Sequence, residues 1–104
     1  MNQLEMQFHA DMVNIYKTAK KECGYTATRF LQLISSKGGV WAAKQLIMKQ
    51  TDGFSALAEF GRLDLSVEAC VLKPQYISLF TEAEREVCRA RLKDLGFQIE
   101  QNYL

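Results

Sequence analysis

The sequence is poor in the residues from which most active sites are built. It contains one histidine, three cysteines and one proline among 104 residues. Cys23, Cys70 and Cys88 are each isolated, whereas structural zinc sites usually present close pairs such as C-x2-C. An odd number of scattered thiols also argues against a disulfide framework. We therefore expect no catalytic residue, no metal, no cofactor and no enzyme activity, and we predict that the thiols are small buried side chains.

The sequence also lacks an excess of charge of one sign and lacks long apolar runs. Thirteen basic residues stand against twelve acidic residues, a formal net charge of +1, which does not support a strong field around the whole protein. No apolar stretch approaches the ~18–20 residues of a membrane span, and the opening residues do not form the pattern of a secretory signal. The sequence therefore predicts a cytoplasmic protein with no membrane partner.

The length and composition fit one helical domain over residues 1–104. The chain is 48% hydrophobic and 24% charged, which is ordinary usage for a globular protein. Apolar residues recur every three or four positions from Leu4 to Cys23, the period of a helix with one buried stripe. We predict a compact all-α single-domain bundle of five to seven short helices, with irregular or orthogonal packing.

Several helix boundaries follow from capping signals. Thr26 is a plausible N-cap of a second helix. Thr81 followed three residues later by Glu84 fits a capping box, so the last long helix should start at Glu82. The predicted helices lie near 4–22, 27–36, 40–49 and 82–95, with a mostly apolar segment at 65–72 inside the bundle and residues 97–104 as an extended tail docked on it.

Six short segments resemble, in this order, a family of small uncharacterised bacterial proteins and domains. They are GYTATRFLQLISSKGG, AKQLI, DGFSAL, GRLDLSVEA, VLKPQY and LFTEAERE, and they cover most of residues 8–97. The resemblance implies a small helical domain of bacterial or phage origin. It implies no reaction and no catalytic residue.

Two polar residues are expected to have local or buried partners. Glu68 has apolar neighbours on both sides, and a buried carboxylate needs a partner. We predict an ion pair between Glu68 and Arg91, with Arg29 as the second choice. His9 lies at the edge of the apolar stripe of the first helix, one turn after Glu5, which predicts a local pair between them.

The charge is uneven along the chain. Residues 1–50 hold seven Lys or Arg against three Asp or Glu, a net charge of +4, and residues 51–104 have a net charge of −3. Lys17, Lys20 and Lys21 project away from the apolar stripe of the first helix. A solvated face is the simpler interpretation, and contact with nucleic acid is the alternative.

The third helix carries the candidate partner-binding residues. Its core side is predicted to contain Val40, Ala43, Leu46 and Ile47. Trp41 and Met48 are seven residues apart and form a second stripe, flanked by Lys44 and Gln45. This stripe either covers a neighbouring helix or forms a contact site.

The function is predicted by elimination. We expect a non-catalytic protein-interaction module, an adaptor, regulator or inhibitor of bacterial or phage defence-related origin, that binds a protein or a second copy of the chain. The alternatives are a nucleic-acid-binding accessory domain using the basic half, and a small enzyme or ligand pocket assembled only in three dimensions.

Overall fold

The computed structural model describes residues 2–24, 26–48 and 57–96, and all regular secondary structure in these ranges is helical. The all-α class is therefore confirmed. The chain order is α1 (Gln3–Cys23), α2 (Thr28–Lys37), α3 (Gly39–Met48), a 3₁₀ helix (Leu63–Leu65), α4 (Val67–Val71), a second 3₁₀ helix (Pro74–Leu79) and α5 (Glu82–Asp94). The predicted tail at 97–104 lies outside the described residues.

The ends of the two longest helices follow from local sequence. At the start of α1, Asn2 and Glu5 form a capping box, and the helix ends at Gly24 in the left-handed conformation with φ 66°. At the start of α5, the Thr81 hydroxyl accepts from the Glu84 amide at 3.1 Å, and the Glu84 carboxylate accepts from the Thr81 amide at 2.9 Å. These bonds satisfy backbone N–H groups that have no partner inside the helix. The predicted start of α5 at Glu82 is confirmed.

One predicted helix boundary is wrong, and the predicted buried segment is confirmed. Thr26 does not cap the second helix, because α2 begins at Thr28 and Ala27 occupies the cap position without a side-chain bond. The apolar segment at 65–72 is buried along its whole length, as predicted. It is split at Ser66, whose hydroxyl donates to the Leu63 carbonyl at 2.6 Å and accepts from the Ala69 amide at 3.1 Å. Those two bonds end the 3₁₀ helix and start α4.

The core is centred on α4, which is buried at every position from Val67 to Val71. The helix packs against α1, α3 and α5, so its sequence has no polar side. Phe8 of α1 is fully buried and meets Tyr76 edge to face, with ring centroids 4.9 Å apart. This arrangement is the favourable one for aromatic rings.

The buried side of α3 differs from the predicted one. Its buried residues are Gly39, Ala42, Ala43 and Ile47, whereas Val40 and Leu46 are only partly buried. Small residues face α1 and α2 because α3 packs closely against both helices.

Two further observations concern the burial of the thiols and the length of the helices. Of the three cysteines, Cys70 and Cys88 are buried, whereas Cys23 is partly exposed. Within the described ranges, no helix has the length and apolar character to cross a membrane.

Candidate interaction surface

The outer side of α3 carries a face formed by Trp41, Lys44, Gln45 and Met48, named here the α3 face. Trp41 is 40% exposed and Met48 is 76% exposed, and Gln45 is also exposed. The structure therefore places both large apolar side chains of the predicted stripe in contact with solvent. Tryptophan is highly buried on average, so the partial exposure of Trp41 makes this face the candidate contact site.

Lys44 connects this face to α5. Its Nζ lies 2.8 Å from Glu84 Oε1 and 5.2 Å from the centroid of the Phe80 ring. Partial burial raises the pKa of the Glu84 carboxyl, but the bonds to Lys44 and to the Thr81 amide outweigh it and leave that pKa below its ordinary value. The Lys44 ammonium is thus compensated by a carboxylate and by an aromatic ring, which makes the centre of the α3 face close to electrically neutral.

Val87 of α5 is on the same side of its helix as two residues that bond to α3. It is one helical turn after Glu84 and one turn before Arg91, and both of those side chains bond to α3. Residues at these spacings share one side of a helix. Val87 is 39% exposed. Val87 is therefore an exposed apolar side chain on the side of α5 that bonds to α3.

The first residue of α3 is held by His9 of α1. The Gly39 amide donates to His9 Nδ1 at 3.0 Å, although the two residues are 30 positions apart in the chain. The helices approach so closely that a Cβ atom at Gly39 would lie 2.7 Å from the His9 Cα. The predicted pairing of His9 with Glu5 is replaced by this contact, because Glu5 bonds to the backbone of Asn2.

The last residues of α3 are held by Arg91 of α5. Its guanidinium donates to the Ile47 carbonyl at 2.5 Å and to Glu68 Oε2 at 3.1 Å. The predicted Glu68–Arg91 ion pair is therefore present, and Arg29 is exposed instead. Burial raises the pKa of the Glu68 carboxyl, while the hydrogen bond and the charge of Arg91 act against that rise.

A second polar group, which sequence reasoning missed, joins α1 to the second 3₁₀ helix. The Tyr76 hydroxyl donates to the Asp11 carboxylate, and Lys73 Nζ lies 3.7 Å from the same carboxylate oxygen. Burial, followed by the bond to Asp11, raises the pKa of Tyr76. The phenol thus keeps its proton at neutral pH, and the group links two elements of the fold.

The two buried thiols, like the Tyr76 phenol, have raised pKa values. Burial raises the pKa of Cys70 to about 12 and that of Cys88 to about 12. Both therefore remain protonated at neutral pH, and the thiolate is the reactive form. The described residues also contain no group of three or more His, Cys, Asp or Glu side chains placed to hold a metal ion.

A shallow hollow of about 270 Å³ adjoins the α3 face at the start of α3. Glu5, Lys37, Trp41 and Lys44 line it together with residues 38–40. One wall of the hollow is therefore the tryptophan of the α3 face, and charges of both signs surround it.

The three lysines predicted as a nucleic-acid contact are all exposed on α1. None of Lys17, Lys20 and Lys21 makes an ion pair within the part of the chain that the structure describes. The neighbouring carboxylate of Glu22 is bound by Arg62 at 2.6 Å. The basic charge of α1 is thus left largely uncompensated.

The described part of the chain is thus an all-α domain with exposed apolar side chains on α3. Comparison with known protein families, with curated proteins and with solved structures finds no match. No family membership is shown, so function has to be inferred from the surface itself.

Proposed function

We propose that the protein is a non-catalytic interaction module whose α3 face binds another protein or a second copy of the chain. The observation that carries this proposal is the exposure of Trp41, at 40%, next to Met48, at 76%. Tryptophan is enriched among residues that dominate binding energy, and methionine adapts its shape to a partner. A role as adaptor, regulator or inhibitor in a bacterial or phage setting, in the cytoplasm, belongs to the same proposal.

The charge distribution around the α3 face supports a protein partner. Lys44 is paired with Glu84 at 2.8 Å, and Arg91 is paired with Glu68 at 3.1 Å. The exposed apolar side chains therefore border charges that are already compensated. A partner can bury such a surface without stranding an unpaired charge, which is the costly event at an interface.

Nucleic-acid binding through α1 is the second candidate. It is favoured by the exposure of Lys17, Lys20 and Lys21 and by the pairing of Glu22 with Arg62. Cations that are not compensated locally can pair with phosphates and release counterions. This candidate rests on charge alone, whereas the α3 face combines apolar exposure with compensated charge.

A cross-linking experiment with a photoreactive amino acid at one site at a time separates the two candidates. The three sites are Met48 on the α3 face, Lys21 on α1, and Ile77 as a matched exposed control, 47% accessible, on the second 3₁₀ helix. The protein is irradiated in the cells that make it. We expect Met48 to give a discrete protein adduct, or an adduct of twice the mass of the chain, which Trp41→Ala suppresses.

The outcomes differ for each candidate. Adducts of equal yield from Met48 and Ile77, or adducts that Trp41→Ala leaves unchanged, contradict the α3 face as the binding site. A nuclease-sensitive adduct from Lys21, with none from Met48, favours the nucleic-acid alternative instead.

A further inference from the structure

Arg85 of α5 is a buried cation on the side of the helix that faces the core. Only 8% of its side chain is exposed. It lies one and two turns before Cys88 and Leu92, which are both fully buried, and residues at these spacings share one side of a helix. The guanidinium therefore lies where a charged group needs acceptors in place of water.

Only one of the three guanidinium nitrogens of Arg85 has an acceptor among the described residues. Nη1 donates to Glu82 Oε2 at 3.1 Å, whereas Nε and Nη2 are shielded from solvent and have no hydrogen-bond partner in this part of the chain. Glu82 is also bound by Arg89, and its side chain is 71% exposed. One exposed carboxylate is thus shared between two arginines, and it compensates Arg85 only in part.

Arg91 on the same helix shows how this fold satisfies an arginine that joins its helices. Its guanidinium donates to the Glu68 carboxylate and to the Ile47 carbonyl. A buried N–H without an acceptor lowers stability, and nearly all buried polar groups in native proteins have a partner. The two remaining donors of Arg85 therefore require an explanation outside the packing of the described helices.

The two unpaired donors of Arg85 have the geometry that binds an oxyanion. Nε and Nη2 lie on one edge of the planar guanidinium with their N–H bonds parallel, and such an edge matches the two oxygens of a carboxylate or a phosphate group. Glu82 is exposed and lies one hydrogen bond from Nη1, so the guanidinium is just below the surface.

We propose that Arg85 is the binding residue for a small oxyanion ligand, a carboxylate or a phosphate, which reaches the Nε–Nη2 edge beside Glu82. The ligand supplies the acceptors that the described helices do not supply to this edge. The site rests on the burial and the hydrogen bonds of Arg85, and it does not depend on what binds to the α3 face.

Thermal unfolding of wild type, Arg85→Met and Arg89→Met tests the site. Sodium acetate and sodium phosphate are the probes, and sodium chloride at the same ionic strength is the reference. Methionine has no donor. Arg89→Met is the matched control, because it removes the other cation that binds Glu82 and leaves the buried edge of Arg85 in place.

At about ten times its dissociation constant, the effective probe should raise the Tm of wild type and of Arg89→Met by about 5 °C more than chloride does. Phosphate also stabilises folded proteins in general, so the response that counts is that of wild type minus that of Arg85→Met. Equal responses in these two proteins overturn the proposal.

The melting temperature of Arg85→Met without any oxyanion separates ligand binding from a structural role. Replacing a buried charge by an apolar side chain of similar volume is often neutral or stabilising. We expect Arg85→Met to melt at or above the wild-type Tm. A variant that melts several degrees lower, or that fails to fold, shows that the guanidinium is structural and overturns the proposal.

An NMR titration of the wild-type protein is independent of the variants. The Nε–H signal of Arg85, assigned through the carbons of its side chain, reports directly on a new acceptor. It should move in a saturable manner with acetate when the ligand is a carboxylate and with phosphate when the ligand carries a phosphate group. A signal that moves with neither probe, or equally with chloride, overturns the proposal.

Discussion

The two ends of α3 are each hydrogen-bonded by a side chain from another helix. The side chain at the N-terminal end is an acceptor, and the one at the C-terminal end is a cationic donor. At the start, His9 Nδ1 of α1 accepts from the Gly39 amide at 3.0 Å. At the end, Arg91 of α5 supplies a cation to the Ile47 carbonyl at 2.5 Å and rests on Glu68 at 3.1 Å. Both arrangements match the helix dipole, which favours acceptors at the N-terminus and cations at the C-terminus.

The difference between the two ends is one of charge. The C-terminal contact is made by a guanidinium, which keeps its charge at every accessible pH, and the N-terminal contact is made by an imidazole nitrogen. Between these two ends the inner side of α3 packs on α1 and α2. The helix that carries the α3 face is thus positioned by packing on its inner side and by a hydrogen bond at each end.

The largest change in stability is expected from removing Arg91, which bonds to the C-terminal end of α3. Arg91→Ala leaves Glu68, 6% exposed, without its cation, and removing one partner of a buried ion pair typically costs ~3–5 kcal/mol of unfolding free energy. Chemical denaturation of the variant measures this cost. Arg89→Ala on the same helix is the matched control, because its partners Glu82 and Glu86 are exposed and such pairs are worth ~1 kcal/mol or less.

The loss of stability in Arg91→Ala should also depend on pH, in a direction that the pKa of Glu68 determines. Burial already raises the pKa of Glu68, and Arg91 opposes the rise. Without Arg91 that pKa rises further in the folded protein, so folding favours the protonated carboxyl and stability is lost as the pH increases through the range between the unfolded and the raised pKa. The penalty of Arg91→Ala should therefore be larger at about pH 8 than at about pH 5. An unchanged or smaller penalty at the higher pH contradicts the buried pair.

A smaller change in stability is expected from separating α1 and α3 where His9 contacts Gly39. In Gly39→Ala the new Cβ would lie 2.7 Å from the His9 Cα, and because that atom is backbone, one helix has to shift. We expect a loss of ~1–3 kcal/mol in unfolding free energy, the usual cost of overpacking. Chemical denaturation measures this loss, and a variant as stable as wild type contradicts the close contact.

The sequence predicts those features of the fold that depend on neighbours along the chain. The period of α1 and the Thr81–Glu84 capping box are local patterns, and both predicted their helices correctly. The Glu68–Arg91 pair was predictable because each residue stands among apolar neighbours on its own helix. A charge in such a position must find a partner.

The contacts that position the α3 face could not be predicted in the same way. His9 and Gly39 are 30 residues apart, and Lys44 and Glu84 are 40 apart. Nothing in the local pattern of either partner specifies the other, because these pairs depend on how the helices pack. The sequence also predicted the stripe of Trp41 and Met48 without deciding whether it was buried. The outcome depends on how the helices pack, and in the structure both side chains are exposed.

The smallest expected change in stability belongs to the residue with the largest expected change in binding. Trp41 is 40% exposed and lies outside the core, so Trp41→Ala should lower the unfolding free energy by about 1 kcal/mol. Ile77→Ala removes another exposed apolar side chain, on a different part of the surface, and serves as the control. Both variants should remain folded by circular dichroism.

The dissociation constant of the Trp41→Ala variant tests the role of the α3 face most directly. It is measured with the purified partner recovered by cross-linking at Met48, or by sedimentation when that partner is a second copy of the chain. We expect binding weaker by about 30-fold or more, equivalent to ~2 kcal/mol, with Ile77→Ala close to wild type. A folded Trp41→Ala protein that binds with the wild-type dissociation constant would contradict the α3 face as the binding site, and so would a Trp41→Ala protein that fails to fold.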